Sequence, residues 1–176
     1  MQIKQTANGY LMNGFLVPND PKNSDYQKIQ EWIAQGGDIE PFDYLSEAKI
    51  QKINDLNLFH DSPAVKNLII KSGTAQTYVG LAADYRYLID EQIGLLELRI
   101  KQGEKNPIWN YRNGITLPLT LEQLSGIRVY IGSLVDFNFN VRRDHETAIK
   151  GLKTVQAVNN YDFTKNYKLN QVLNFA

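Results

Sequence analysis

The sequence predicts an α+β fold: long helices packed on a small antiparallel sheet, in the order ββαββα, behind a small N-terminal hairpin-and-helix segment. Three observations carry this expectation. Apolar residues recur at helical spacing for about thirty residues between Leu121 and Leu152. Two pairs of β-rich runs, "AVKNLIIK" with "AQTYVG" and "IWNYR" with "ITLPL", flank Ser72-Gly73 and Asn113-Gly114. The 176 residues are 43% hydrophobic and 22% charged, enough apolar material for one ordinary domain with a small appendage.

The elements follow in order. Asn8-Gly9 and Asn13-Gly14 lie among short apolar stretches, and Asn-Gly favours the positive φ angles of a tight hairpin, so small strands are expected there. Pro18 and Pro21 keep the chain extended until Asn23 or Ser24 caps a first helix. Tyr26, Ile29 and Ile33 form its apolar stripe with Trp32 beside them, and Gly36-Gly37 end it. One narrow stripe on about twelve residues is marginal alone, so this helix must dock on something. Ser46 opens a second helix carrying Ile50, Ile53 and Leu56 and ending near Phe59. Strands follow over residues 64–71 and 75–80, then a helix from Ala82 to about Gln102 that buries Tyr85, Leu88, Ile89, Leu95 or Leu96, and Ile100. Asn113-Gly114 predicts a two-residue type I′ hairpin. Thr120 caps the longest helix, whose stripe is Leu121, Leu124, Ile131, Leu134, Val141, His145, Ala148 and Leu152. At ~1.5 Å per residue it spans on the order of 45 Å and should be the scaffold for the rest. Gly126 and Gly132 either admit another element closely or mark a bend. The aromatic tail, "NNYDFTKNYKLNQVLNFA", keeps no steady period and should wrap onto the body or engage another chain.

Charge divides the chain. Residues 1–45 hold three basic and six acidic side chains, and residues 46–176 hold sixteen and thirteen. With "GGDIEPFDYLS" as a linker, the expected organisation is an N-terminal hairpin and docking helix over 1–45 and a main α+β domain with an aromatic tail over 46–176. The formal net charge is zero, which counts against nucleic-acid binding. The absence of cysteine removes disulfides and thiolate chemistry. The N-terminus lacks the pattern of a signal peptide, and no apolar run approaches the ~20 residues that span a membrane, so a soluble protein is expected.

Catalytic signatures are missing. His60 lies in a Pro-flanked turn and His145 on the long-helix stripe, with no metal-binding spacing near either. No Gly-rich phosphate loop or nucleophile elbow occurs, and the carboxylates Asp84, Asp90, Glu91 and Glu97 read as a solvated helix face. No cofactor or metal is expected. The aromatics suggest binding instead. Trp109 and Tyr111 share one hairpin face beside Arg112, a cluster that could stack on a sugar or anchor a protein interface.

Two blocks carry a resemblance. "VPNDPKNSDYQKIQEWIAQGGDIEP" resembles a segment of small proteins encoded beside the tail-fibre genes of tailed bacteriophages and prophages. "SPAVKNLII", the helix with Arg86, "LTLEQL", the helix through His145 and the closing "YDFTKNY" resemble the phage domain of unknown function that often follows it. That family usually closes with a Gly-Pro version of the tyrosine turn, where this chain has Asn166 and Lys168. The resemblance implies association with a tail-fibre or baseplate protein and no agreed catalytic residues.

The leading expectation is therefore a non-enzymatic tail-associated protein, a virion component or a fibre-assembly chaperone, located in the virion tail or in the host cytoplasm during assembly. Tyr26, Ile29, Trp32, Ile33, Trp109, Tyr111, Tyr161, Phe163 and Tyr167 are the candidate partner-binding residues, and a homo-oligomer is a further option. The alternatives are a carbohydrate-binding or carbohydrate-active domain built on Trp109 and Tyr111, and a phage effector that binds a host protein.

Overall fold

The computed structural model describes residues 2–113 and 115–175, with the backbone alone at Asn113 and Ile115. Two compact units emerge: residues 1–51 with 153–159, and residues 52–152 with 160–176.

In the first unit, β1 (Ile3–Thr6), β2 (Gly9–Met12) and β3 (Phe15–Pro18) form an antiparallel meander. The two Asn-Gly pairs serve it differently. Met12 pairs with Phe15 across Asn13 and Gly14, whose φ angles of +51° and +89° fit a two-residue type I′ turn, a form of the tight hairpin expected there. Thr6 pairs with Gly9, so that turn falls on Ala7 and Asn8, and Gly9 is already strand. A Cβ at Gly9 would sit 2.1 Å from the Val17 carbonyl oxygen, so the close approach of β3 demands glycine there.

Asn23 starts α1 (Ser24–Ala34): its side-chain oxygen accepts from the backbone N–H of Asp25 and of Tyr26, at 2.9 and 3.1 Å. The helix seats Ile29, fully buried, against Ile3 and Val17, with Tyr10, Met12, Tyr26, Trp32 and Ile39 packed around them. The chain then returns along β1, where Gln5 N donates to Glu40 O at 2.8 Å and Glu40 N to Ile3 O at 3.0 Å. The expected linker is thus partly structure. The next helix, α2 (Tyr44–His60), begins two residues before Ser46 because the Asp43 carboxylate accepts the Ser46 N–H at 2.9 Å and caps it. Residues 44–51 of α2 and the short α6 (Val155–Asn159) belong to this first unit.

The second unit is α+β. Pro63 opens a helical turn, α3 (Pro63–Lys66), so the strand expected from Ala64 begins only at β4 (Asn67–Ser72). It pairs antiparallel with β5 (Ala75–Gly80), and α4 (Ala83–Lys101) follows. On α4 the core takes Ile89 and Leu96, while Tyr85, Leu88, Leu95 and Ile100 of the expected stripe stay exposed. The hairpin of β6 (Ile108–Asn113) and β7 (Ile115–Thr120) forms a separate two-stranded sheet. A two-residue turn on Asn113-Gly114 would set Arg112 opposite Ile115. The arms instead pair Arg112 with Thr116 and Asn113 with Ile115, while Gly114 itself lies outside the described residues.

Thr120 caps α5 (Leu121–Gly151) in a reciprocal capping box with Gln123. Its buried stripe runs Leu124, Ile127, Ile131, Leu134, Asn138, His145 and Ile149, with Ile149 inside where Ala148 was expected. A Cβ on Gly126 would meet nothing within 4 Å, so close packing is not what that glycine serves. The tail ends in β8 (Val172–Phe175), which pairs parallel with β4 and makes a mixed β5-β4-β8 sheet. Leu68, Ile70, Val79, Ile127 and Ile131 form the centre of this unit's main core.

Candidate functional site

The residues expected to meet a partner turn largely inward. Ile29 is fully buried, and Tyr26 and Trp32 are half-buried in the same cluster. The Trp32 indole N–H donates to Asp38 O at 3.3 Å, and its ring fills the space a Cβ on Gly37 would need. Ile33 remains 38% exposed at the end of α1. The helix docks on its own sheet, one of the two ways in which its stripe could be covered.

Trp109 and Tyr111 also pack on their own unit. Tyr111 is 4% exposed and its hydroxyl donates to Tyr78 O at 2.9 Å. Trp109 is half-buried on the core, edge-on to Tyr111 with centroids 5.2 Å apart. The pair has no common open ring face for a sugar.

Tyr161, Phe163 and Tyr167 close a second core with Leu56, Val65 and Ile149. Tyr167 stacks on His145 with centroids 5.9 Å apart and rings within 16° of parallel, and it meets Phe59 edge-on at 5.3 Å. The Nε2 of His145 faces Lys165 O at 2.9 Å and must donate to that carbonyl; in the neutral ring, Nδ1 then accepts from the Tyr161 hydroxyl at 2.8 Å. Burial pushes the Tyr167 phenol up to about 12 and holds Tyr161 above its ordinary value, with Asp162 adding to the latter. Asn138, 2% exposed, accepts from Lys168 N at 3.0 Å and donates to Lys168 O at 3.3 Å, which ties the tail to α5. The aromatic tail is interior material.

Two further features bear on binding. The first is apolar surface on the first unit. Leu11 and Leu16 sit opposite each other on the sheet face turned away from Ile3 and Val17, exposed by 37% and 64%. Phe15, at the turn, is 78% exposed but on the other face of the sheet, the one it shares with Met12 and Ile3.

The second is a cavity of about 180 Å³ in the second unit, at the first turn of α4. His60, Lys66, Arg86 and Asn138 supply its polar wall, and Val65, Leu81, Val135 and Phe139 its apolar wall. Leu81 N donates to Lys66 O at 2.7 Å and so fixes the entry to α4. Burial, reinforced by the Lys66 ammonium, pushes His60 down to about 4, against an opposing pull from Asp61. This group escaped sequence reasoning because its members come from four helices and no short spacing connects them. The one local signal was His60 beside Asp61 in a Pro-flanked turn.

Among the described residues, no three His, Asp or Glu side chains group closely enough to hold a metal ion, and no helix is long and apolar enough to cross a membrane. Comparison with protein-family models, with curated proteins and with solved structures found no match.

Proposed function

We propose that this chain is a non-enzymatic binding protein of a bacteriophage or prophage tail, attached to a tail-fibre or baseplate protein as a virion component or as an assembly chaperone. The partner class rests on the resemblance carried by "VPNDPKNSDYQKIQEWIAQGGDIEP" and by the blocks from "SPAVKNLII" to "YDFTKNY". The observation that supports a binding role is the Leu11 and Leu16 pair exposed on the outer face of the first sheet. The apolar stripe of α1 is spent on the unit's own core, so attachment falls to the outer sheet face. Neighbouring apolar side chains left exposed on one sheet face fit a protein interface.

Co-purification tests it. Leu16→Asp puts a charge on the outer face without touching Ile3, Val17 or Ile29. It should leave the melting temperature within about 2 °C of the parent and reduce recovery of the tail-fibre or baseplate protein at least tenfold. Undiminished recovery with the folded variant would overturn this surface. The carbohydrate reading has no comparable observation, since Tyr111 is buried and bonded within the core.

A further inference from the structure

The cavity at the start of α4 gathers several donors, two of which have no acceptor. Ala82 is the N-cap and has no side-chain oxygen to offer, and the first helical bond is Arg86 N to Ala82 O at 3.2 Å. The N–H groups of Ala83, Asp84 and Tyr85 therefore have no acceptor within the helix, and the positive end of a 19-residue helix dipole faces this region. Lys66 and Arg86 add two cations to the wall, and the Arg86 Nε is buried without a hydrogen-bond partner.

His60 is the independent indication. The residue is only 9% exposed, and its buried Nδ1 has no hydrogen-bond partner. The Lys66 ammonium lies 3.1 Å from Nε2, and an ammonium can only donate. Nε2 must then carry the lone pair, which leaves the proton on Nδ1. A buried N–H with nothing to receive it is the kind of group native structures almost always satisfy. Two buried donors without partners, the Lys66 ammonium and a helix N-terminus thus border one cavity.

We propose that this cavity binds a phosphoryl group, held by Lys66, Arg86, the Nδ1–H of His60 and the first-turn amides of α4. The donors come from α2, α3 and α4 and so approach from several directions. A tetrahedral oxyanion presents accepting oxygens to all of them, whereas a planar carboxylate presents two. The apolar wall of Val65, Leu81, Val135 and Phe139 lowers the local dielectric and strengthens each contact. The volume suits a phosphate with a small substituent, well below the ~300 Å³ at which pockets take drug-sized molecules. Asp61, 71% exposed and 3.4 Å from the Lys66 ammonium, is the counter-charge that the ligand displaces. Asn138 serves as wall only, its amide being engaged by Lys168. This site is independent of the tail-protein reading.

The test is calorimetric titration of the full chain with inorganic phosphate at constant ionic strength, with methyl phosphate and acetate in parallel. The expected result is one saturable phosphate site, weakened at least tenfold in Arg86→Gln and in Lys66→Gln and unchanged in Arg128→Gln, whose guanidinium pairs with Asp90 elsewhere on the unit. Methyl phosphate binding alongside phosphate supports a phosphorylated ligand, and phosphate alone supports the free ion. Equal binding of acetate, no saturation with phosphate, or full affinity in folded Arg86→Gln overturns the proposal. Should that variant fail to fold, nitrogen NMR of the two histidines in the parent decides. Phosphate should shift the His60 Nδ1 resonance saturably and leave His145 in place; an unmoved His60 overturns the proposal.

Discussion

Asn166 holds φ at +68°, in the left-handed region that asparagine tolerates and most side chains do not. Asparagine therefore serves here where glycine would otherwise be favoured, and the turn delivers Tyr167 onto His145. Asn166→Ala should destabilise the second unit by about 1 kcal/mol and Asn166→Gly should be close to neutral, as read by urea denaturation. Equal stability of all three would show that the backbone there is unstrained. His60 sets a pH dependence at the same scale. Burial, Lys66 and Arg142 lower its folded-state value to about 4, below the ordinary 6.5, while Asp61 opposes them. Between those limits the unfolded chain takes up a proton that the folded chain refuses, so this contribution to stability is complete above about pH 6.5 and is lost as pH falls towards 4. His60→Gln should flatten the fall in melting temperature over that window. An identical pH profile in parent and variant would remove His60 as the cause.

At the scale of elements, what could be read from the chain was whatever carried a local signal. Asn13-Gly14 required positive φ and has it, Asn23 and Thr120 offered cap oxygens and cap, and the period-3.6 run of α5 ended within a turn of its expected limit. The signals that misled were also local. Asn113-Gly114 suggested a two-residue turn, yet the arms pair one residue out of that register, because packing of Tyr111, Leu117 and Leu119 into the core fixes which residues face each other. Strand β8 had no nearby partner to announce it, since it pairs in parallel with β4 about a hundred residues earlier. The tail aromatics lacked a period because each meets a different neighbour in one cluster. Trp32 belongs here too, because its role is to hold α1 and the Gly37 turn together. Trp32→Ala should lower the stability of the isolated chain by about 1–3 kcal/mol, less than the ~3–5 of a fully buried aromatic, since the ring is half-exposed. No loss of stability with a loss of partner binding would instead make α1 an external docking helix.

For the molecule as a whole, the division into two units differs in kind from the charge division of the sequence, because residues 153–159 return to the first unit after the long helix. Composition could mark a shift near residue 45 but could not show that a later segment rejoins what precedes it. Of the candidate binding residues, the aromatic ones were recognisable as residues that must be buried. What covers them was not, because an apolar stripe reads the same whether its partner is in cis or in trans. Burying them within the units moves attention to the outer face of the first sheet, and to the tail protein proposed to cover it. The most direct test is quantitative mass spectrometry of purified, DNA-filled particles from a phage or induced prophage that encodes this chain, together with its cell lysate. A tail-associated protein should appear at a fixed ratio to the fibre or baseplate protein in the particles, or, as a chaperone, in complex with that protein in the lysate while absent from the particles. Absence from the particles together with no complex with any tail protein in the lysate would contradict the account.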